Sequence, residues 1–283
     1  MDFENSLTNY IVFSIELNLP SGKTLRVAEL NNEDYLTILK FCHNSDFKGL
    51  NDFFEQLYLS PDMDIFDRFF VLLYVRKLFV GSKLSFVGKD EVDISYSIDN
   101  ILEKLLDNYT NVERVLSQDG ITVKVDIPVG SYFRSIDDLY NYTIREVEYN
   151  GNTIDFTSIS NEEKSQVLDR LPTSIFLLVQ EYLAELSESL FDLTVIEENK
   201  DFEISEINIS LLGNGIIYFI SSIFKLDLLY FYETLYNYNQ FISNGSGDFF
   251  KLTFNEIKLL LKVHAERIQK ENEEIEKKER LMG

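Results

Sequence analysis

The sequence predicts an α+β protein: an N-terminal β-hairpin packed with helices, a β-rich middle segment and a mainly helical C-terminal part. Three observations carry this. Ile11, Phe13, Ile15, Leu17 and Leu19 alternate with other residues before Pro20-Ser21-Gly22-Lys23, and alternation resumes at Thr24-Leu25-Arg26-Val27, the period-two mark of half-buried strands. Two further pairs of alternating segments meet at Asp119-Gly120 and Asn150-Gly151, dipeptides suited to tight hairpins. From Ser160 onward the apolar residues recur at helical spacing. These shifts of period divide the chain into 1–109, 110–158 and 159–283.

In the first part, Pro20 suits an early turn position and Gly22 a position of positive φ. Asn31 or Asn32 caps a helix through Cys42, with Glu33 and Asp34 placed against its dipole. A second helix covers 47–57. Ser60-Pro61 predicts the start of a third, which runs to Val80 and stops at Gly81. Its middle, FFVLLYV, is apolar all round, so it belongs at the centre of its domain. Strands at 84–87 and 92–98 and a helix at 99–109 follow.

The β-rich part reads as two hairpins, 112–116 with 121–127 and 143–149 with 153–156. The helical part reads as helices at 161–169, 172–190, 209–224 and 226–243, then a loop at Asn244-Gly245-Ser246-Gly247. A long final helix starts at Thr253, with Thr253 and Glu256 as a capping box and Leu252 with Ile257 as a hydrophobic staple. Beyond Ile268 this helix loses its apolar stripe and becomes KENEEIEKKER, a solvated or partner-bound extension.

A chain of 283 residues with 45% hydrophobic content buries a substantial core. Its net charge of −22 argues against nucleic-acid binding, which needs clustered Lys and Arg. It suits a protein with basic partners, and it keeps open an acidic inhibitor that mimics DNA. Cys42 is the single cysteine, which excludes an internal disulfide and a multi-cysteine zinc site. The N-terminus shows no basic segment with a long apolar run, so no signal peptide is expected. The longest uncharged apolar segments, 69–75 and 211–224, fall short of the roughly 20 residues that span a bilayer.

The short motifs resolve into structural roles. Gly22-Lys23-Thr24 ends like a phosphate-binding loop, but Leu17 stands where the first glycine belongs and a strand follows in place of a helix N-terminus. It is a turn, and Lys23 is expected to face solvent. Cys42 and His43 are adjacent helix positions that point about 100° apart, so Cys42 reads as a packing residue. His264 shares a face with Leu260, Leu261 and Ile268 and reads as a packed histidine. Asp62-Met63-Asp64 lacks the rest of a calcium loop and reads as acids at helix positions favoured by the dipole. No cofactor or metal ligand set is predicted. The remaining carboxylates are scattered, and a carboxylate-based hydrolase stands as a lesser alternative that requires two acids of divergent pKa in a cleft.

Two features point outward. Arg76 follows the apolar FFVLLYV run, so its buried guanidinium requires a structural ion pair or serves a partner protein. In 226–242, Leu228, Leu229, Phe231, Tyr232, Leu235 and Tyr236, with Tyr238 and Ile242, occupy about half of the helical wheel, enough for a core face. Leu226, Tyr230 and Phe241 fall on the other side, either as a protein interface or beneath a second packed helix.

Three stretches together carry a resemblance. LPSGKTLRVAELNNEDYLTILKF (19–41), DRFFVLLYVRKLFVGSKLSF (67–86) and LTFNEIKLLLKVHAERIQKENEEIEK (252–277) resemble, in this order, the base plate protein family of T-even-type bacteriophages. That family includes a baseplate hub subunit and a related hub-assembly factor. The resemblance covers about half of the chain and has no counterpart for 110–158. It implies a non-enzymatic structural or assembly protein of a contractile phage tail, with no catalytic residues to carry over. Its implied partners are other hub, spike or tape-measure proteins, while charge and segment length, as above, predict no nucleic acid and no membrane span. Its implied location is the host cytoplasm during assembly or the tail baseplate of the virion.

Overall fold

The computed structural model describes residues 14–60, 62–87, 93–109, 114–195, 205–208, 214–225, 228–242 and 248–282. Strands β1 (Ser14–Asn18) and β2 (Thr24–Ala28) pair antiparallel with Asn18 opposite Thr24. Between them the Leu19 carbonyl accepts from Gly22 N–H at 2.9 Å, and Gly22 takes φ +82°, a conformation that glycine adopts without a Cβ clash. Leu17, Leu19 and Val27 turn inward, as the alternation requires.

Helix α1 (Asn32–His43) is capped by Asn31, whose side-chain oxygen accepts from Asp34 N–H at 2.8 Å. Asn32, the other expected cap, is instead fully buried and donates to the carbonyls of Phe249 and Leu252. Helix α2 (Phe47–Leu57) follows with Asp46 as its cap.

Helix α3 (Ile65–Val80) begins later than the Ser60-Pro61 motif predicts. Pro61 lies outside the described residues, and Ser60 is not the cap. Its carbonyl accepts instead from Met63 N–H and from the Arg68 guanidinium. Asp64 caps the helix, accepting from Phe66 and Asp67 N–H, both at 2.9 Å. A carboxylate at this position meets two orphan donors and the positive end of the dipole together. The helix ends at Gly81 as expected, and Phe66, Phe69, Leu72 and Leu73 have no exposed surface.

Strands β3 (Lys83–Val87) and β4 (Asp93–Ser97) form a second hairpin, and helix α4 (Ile98–Asn108) packs on α3. The middle of the chain is a four-stranded antiparallel sheet in the order β5-β6-β7-β8, from β5 (Arg114–Gln118), β6 (Ile121–Val125), β7 (Ile144–Tyr149) and β8 (Asn152–Asp155). Asp119-Gly120 and Asn150-Gly151 both hold φ near +52° to +77°, the two-residue turn that matches strand twist. The hairpin expectation missed the helix between them. Helix α5 (Ile136–Thr143) starts at Ser135, which caps Asp138 N–H, with Asp137 and Asp138 in its first turn. Those cues were present in the sequence.

Helix α6 (Asn161–Leu168) carries a complete capping box from Ser160 and Glu163. Helix α7 (Thr173–Phe191) lies against β5 and β6 and runs into a hairpin of β9 (Asp192–Val195) and β10 (Ser205–Asn208). That hairpin lacks a visible turn dipeptide, and the sequence reading missed it. Helix α8 (Gly215–Lys225) then enters the N-terminal layers, packing on α1, α2 and α3. Its Phe224 meets Tyr35 and Phe54, and its Phe219 meets Phe69, with centroids 5.8–6.2 Å apart. Just before it, Asn214 exchanges two 2.6 Å hydrogen bonds with the backbone N–H and carbonyl of Phe133.

Helix α9 (Leu228–Phe241), a 3-10 turn (Phe249–Lys251) and helix α10 (Phe254–Met282) complete the chain. Gly215–Phe241 is long and apolar enough to cross a membrane by length and composition, yet 47% of an 18-residue apolar stretch within it is buried inside the protein. The isoleucine face of α8 supplies the core there, with Ile217, Ile220 and Ile223 fully covered. Thr253 and Glu256 form the expected capping box, with Thr253 N–H donating to Glu256 at 2.6 Å and Glu256 N–H to Thr253 at 3.2 Å.

Candidate functional site

The groups with the most perturbed surroundings serve the fold. Asp64 is pushed up to about 6 by burial and then by the nearby Asp67 charge, against the donors that hold it down. Its second oxygen accepts from the Tyr109 hydroxyl at 3.1 Å. Asp67, fully buried, takes the Ser21 N–H on one oxygen and the Ser21 hydroxyl on the other. All four carboxylate oxygens are therefore engaged by protein donors, which makes the pair a helix cap and a clamp on the first turn. Asp62 lies outside the helix, where the sequence reading had placed it inside, and it pairs with Lys23 at 3.4 Å.

Arg76 is buried, and one of its terminal nitrogens donates to the carbonyls of Gly81 and Lys83 at 2.8 and 3.1 Å. It thus ties the end of α3 to the start of β3. Arg68, which the sequence reading did not single out, is more deeply placed. Its guanidinium meets Glu55 at 2.7 Å and the carbonyls of Ser60 and Met63 at 3.0 Å. Cys42 is buried, as expected of a packing residue, while His43 is exposed. Among the described residues no group of three or more His, Cys, Asp and Glu side chains converges on a possible metal position.

The outward-facing chemistry lies on α9 and α10. The expectation of a core face covering half of α9 is too wide. Phe231, Thr234 and Tyr238 are buried, with Leu235 and Ile242 packed beside them. Leu229, Tyr232 and Tyr236, expected in that face, are instead 70%, 49% and 63% exposed. The reason is position. Among the described residues the helix packs against α1, α10 and the 3-10 turn, so one narrow stripe meets the core and much of a nearly all-apolar wheel faces out.

Leu229, Tyr232 and Tyr236 follow at three- and four-residue spacing, so they form one continuous strip. With Glu233 and Asn237 they line a shallow depression of about 450 Å³. On the side toward α10, Tyr230 lies 5.9 Å from the Lys258 ammonium, and Phe241 stacks on His264 with centroids 5.6 Å apart. Both rings stay substantially exposed. Leu226 lies outside the described residues. The fold therefore brings Tyr230 and Phe241 to one face of α9, next to α10, and leaves Arg76 apart from them at the end of α3.

Helix α10 adds exposed Leu259, Val263, Ile268 and Ile275. The sequence signal for these was the continuation of isolated apolar residues into a charged run. Together the two helices present aromatic and aliphatic surface of the kind that marks protein contact.

Comparison with curated proteins and with solved structures gives no match. A family model described as the T4 bacteriophage base plate protein matches residues 12–210, well over half of the 283-residue chain, and the chain belongs to that family.

Proposed function

We propose that the chain acts without catalysis in building the phage base plate, by binding other hub, spike or tape-measure proteins through α9 and α10. It does so in the host cytoplasm during assembly. The family supports a base-plate structural or assembly role. The observation that carries the finer reading is the exposed Leu229, Tyr232 and Tyr236 strip, flanked by the exposed rings of Tyr230 and Phe241. Tyrosine and phenylalanine in this setting supply large contact area at low entropic cost. Arg76 acts in this reading as a support of the α3–β3 corner.

Two measurements test it. The chain, and a Leu229→Ser/Tyr236→Ser variant, are co-expressed with the other base-plate and tape-measure proteins of the same phage. Wild type is expected to co-purify with at least one of them and the variant to lose it. In a phage lacking this chain, the variant is expected to fail to restore tails. Normal tails without the chain, or full rescue by the variant, overturn the reading.

A further inference from the structure

Helix α9 stops at Phe241, whose ring lies over His264, while α10 continues to Met282. Past that contact the described side chains of α10, 265–277, are exposed. Leu261, Ala265, Ile268, Asn272 and Ile275 succeed one another at alternating four- and three-residue steps, the seam that a second helix packs against. Ile268 and Ile275 are about half exposed. A groove of about 710 Å³ runs along Leu261, Ala265, Ile268 and Asn272 of this seam, from Asn237 and Phe241 at one end to Glu273 and Glu276 at the other, and Ile275 is the next seam position outside its lining.

The lining also has a sign. Its described charged residues are Glu273 and Glu276, with no lysine or arginine. The whole chain carries −22. A second copy would bring the same two carboxylates to the seam and the same excess of negative charge, and like charges at a contact oppose association. A basic segment meets the opposite situation, attracted over distance by the net charge and nearby by the carboxylates that line the groove. Helix α10 has its own reason to accept one. Most helical stability in proteins comes from packing of an amphipathic face, and the described pairs Arg267–Glu271 and Gln269–Glu273 are worth only a few tenths of a kcal/mol each.

We infer that this groove takes an amphipathic α-helix of another protein, with an apolar stripe flanked by lysine and arginine, lying along α10 where α9 ends. From the Phe241–His264 contact to Glu276 the seam is about 18 Å long at 1.5 Å per residue, so three to four turns of helix cover it. The inference rests on the proposed function only in taking α9 and α10 as the partner-binding side.

The test uses the full chain and two synthetic helical peptides that share a leucine seam, one flanked by lysine and the other by glutamate. Binding is followed by calorimetry near physiological salt. The lysine peptide is expected to bind and the glutamate peptide to fail. Ile268→Ser with Ile275→Ser weakens the lysine peptide at least about tenfold. Glu273→Gln with Glu276→Gln weakens it severalfold and flattens its salt dependence. Leu177→Ser, on the exposed side of α7, leaves it unchanged. Equal binding of both peptides, or indifference to Ile268 and Ile275, overturns the inference, as does self-association of the chain through those residues in sedimentation. Tails that require Leu229 and Tyr236 but tolerate changes at Ile268 and Ile275 overturn it too, and leave the proposed function standing.

Discussion

Ser21, in the first turn of the chain, donates to Asp67 twice, through its backbone N–H at 3.0 Å and its hydroxyl at 2.5 Å. Asp67 is in the first turn of α3 and fully buried. The turn that leads into the phosphate-loop-like triplet is thus held against a helix N-terminus by a protein carboxylate, in the place where such a loop would hold an anion.

Asp67→Ala leaves both Ser21 donors without this acceptor and removes a carboxylate from the positive end of α3. Unfolding in urea is expected to show a loss of about 2–4 kcal/mol, the range for losing hydrogen bonds to a buried charged group. Lys23→Ala, which removes an ion pair whose partners are 53% and 75% exposed, is expected to cost at most about 1 kcal/mol. Equal effects for the two variants would refute the clamp.

Asp64 sets a pH dependence. Its folded pKa is about 6 against an ordinary 3.8, raised by burial first, so the folded state holds a proton that the unfolded state releases between those values. Stability from this group is full below about pH 4 and is lost as pH rises through 6, by about 3 kcal/mol at 1.36 kcal/mol per unit. Asp62 and Glu163, whose hydrogen bonds hold their carboxyls low, act in the opposite direction, so the measurement must be a difference. Asn also caps helices and carries no charge. Wild type is therefore expected to lose stability relative to Asp64→Asn between about pH 4 and about pH 7. A gap independent of pH counts against this account.

Arg68 is a buried charge whose partners are Glu55 and two carbonyls. Arg68→Ala removes the Glu55 ion pair and one of the two donors on each of the Ser60 and Met63 carbonyls, and thermal unfolding is expected to show a loss of about 1.5–3 kcal/mol. Arg68→Lys should recover only part, since an ammonium cannot reproduce the planar fork that reaches all three.

The narrow core stripe of α9 separates neighbouring aromatics. Phe231→Ala should cost about 3–5 kcal/mol as a fully buried ring. Tyr236→Ala should change stability by no more than about 0.5 kcal/mol while impairing partner binding. Reversed stability effects, read from denaturant midpoints, would place the core on the other face.

The first hairpin, α1, α2, the Asp119-Gly120 and Asn150-Gly151 turns, α6 and the α10 capping box were legible because each is decided within a few residues of chain. Local cues failed where two caps competed. Ser60-Pro61 looked the stronger start for α3, but Asp64 wins because Ile65 N–H pairs with the Pro128 carbonyl, and Gly130 N–H with that of Met63. Those partners lie far away in sequence. The β9–β10 hairpin has no turn signature, and the Ser135 cap of α5 sits between two stronger hairpin signals.

The candidate site divides the same way. That α9 carries more apolar surface than one packed face absorbs is a property of its composition, and the sequence located Tyr230 and Phe241 on the side away from the expected core. Which stripe the core takes depends on α1 and the 3-10 turn converging on Phe231 and Tyr238. Asn32 helps to fix that corner by donating to Phe249 and Leu252, more than 200 residues away. Period, capping and turn chemistry act over three to seven residues, so the sequence by itself determined the α+β class, most helix and strand positions and the turn reading of Gly22-Lys23-Thr24. Burial is settled by contacts between distant elements, so only the tertiary structure decided the roles of Asp64, Asp67 and Arg68 and which aromatic rings of α9 face outward.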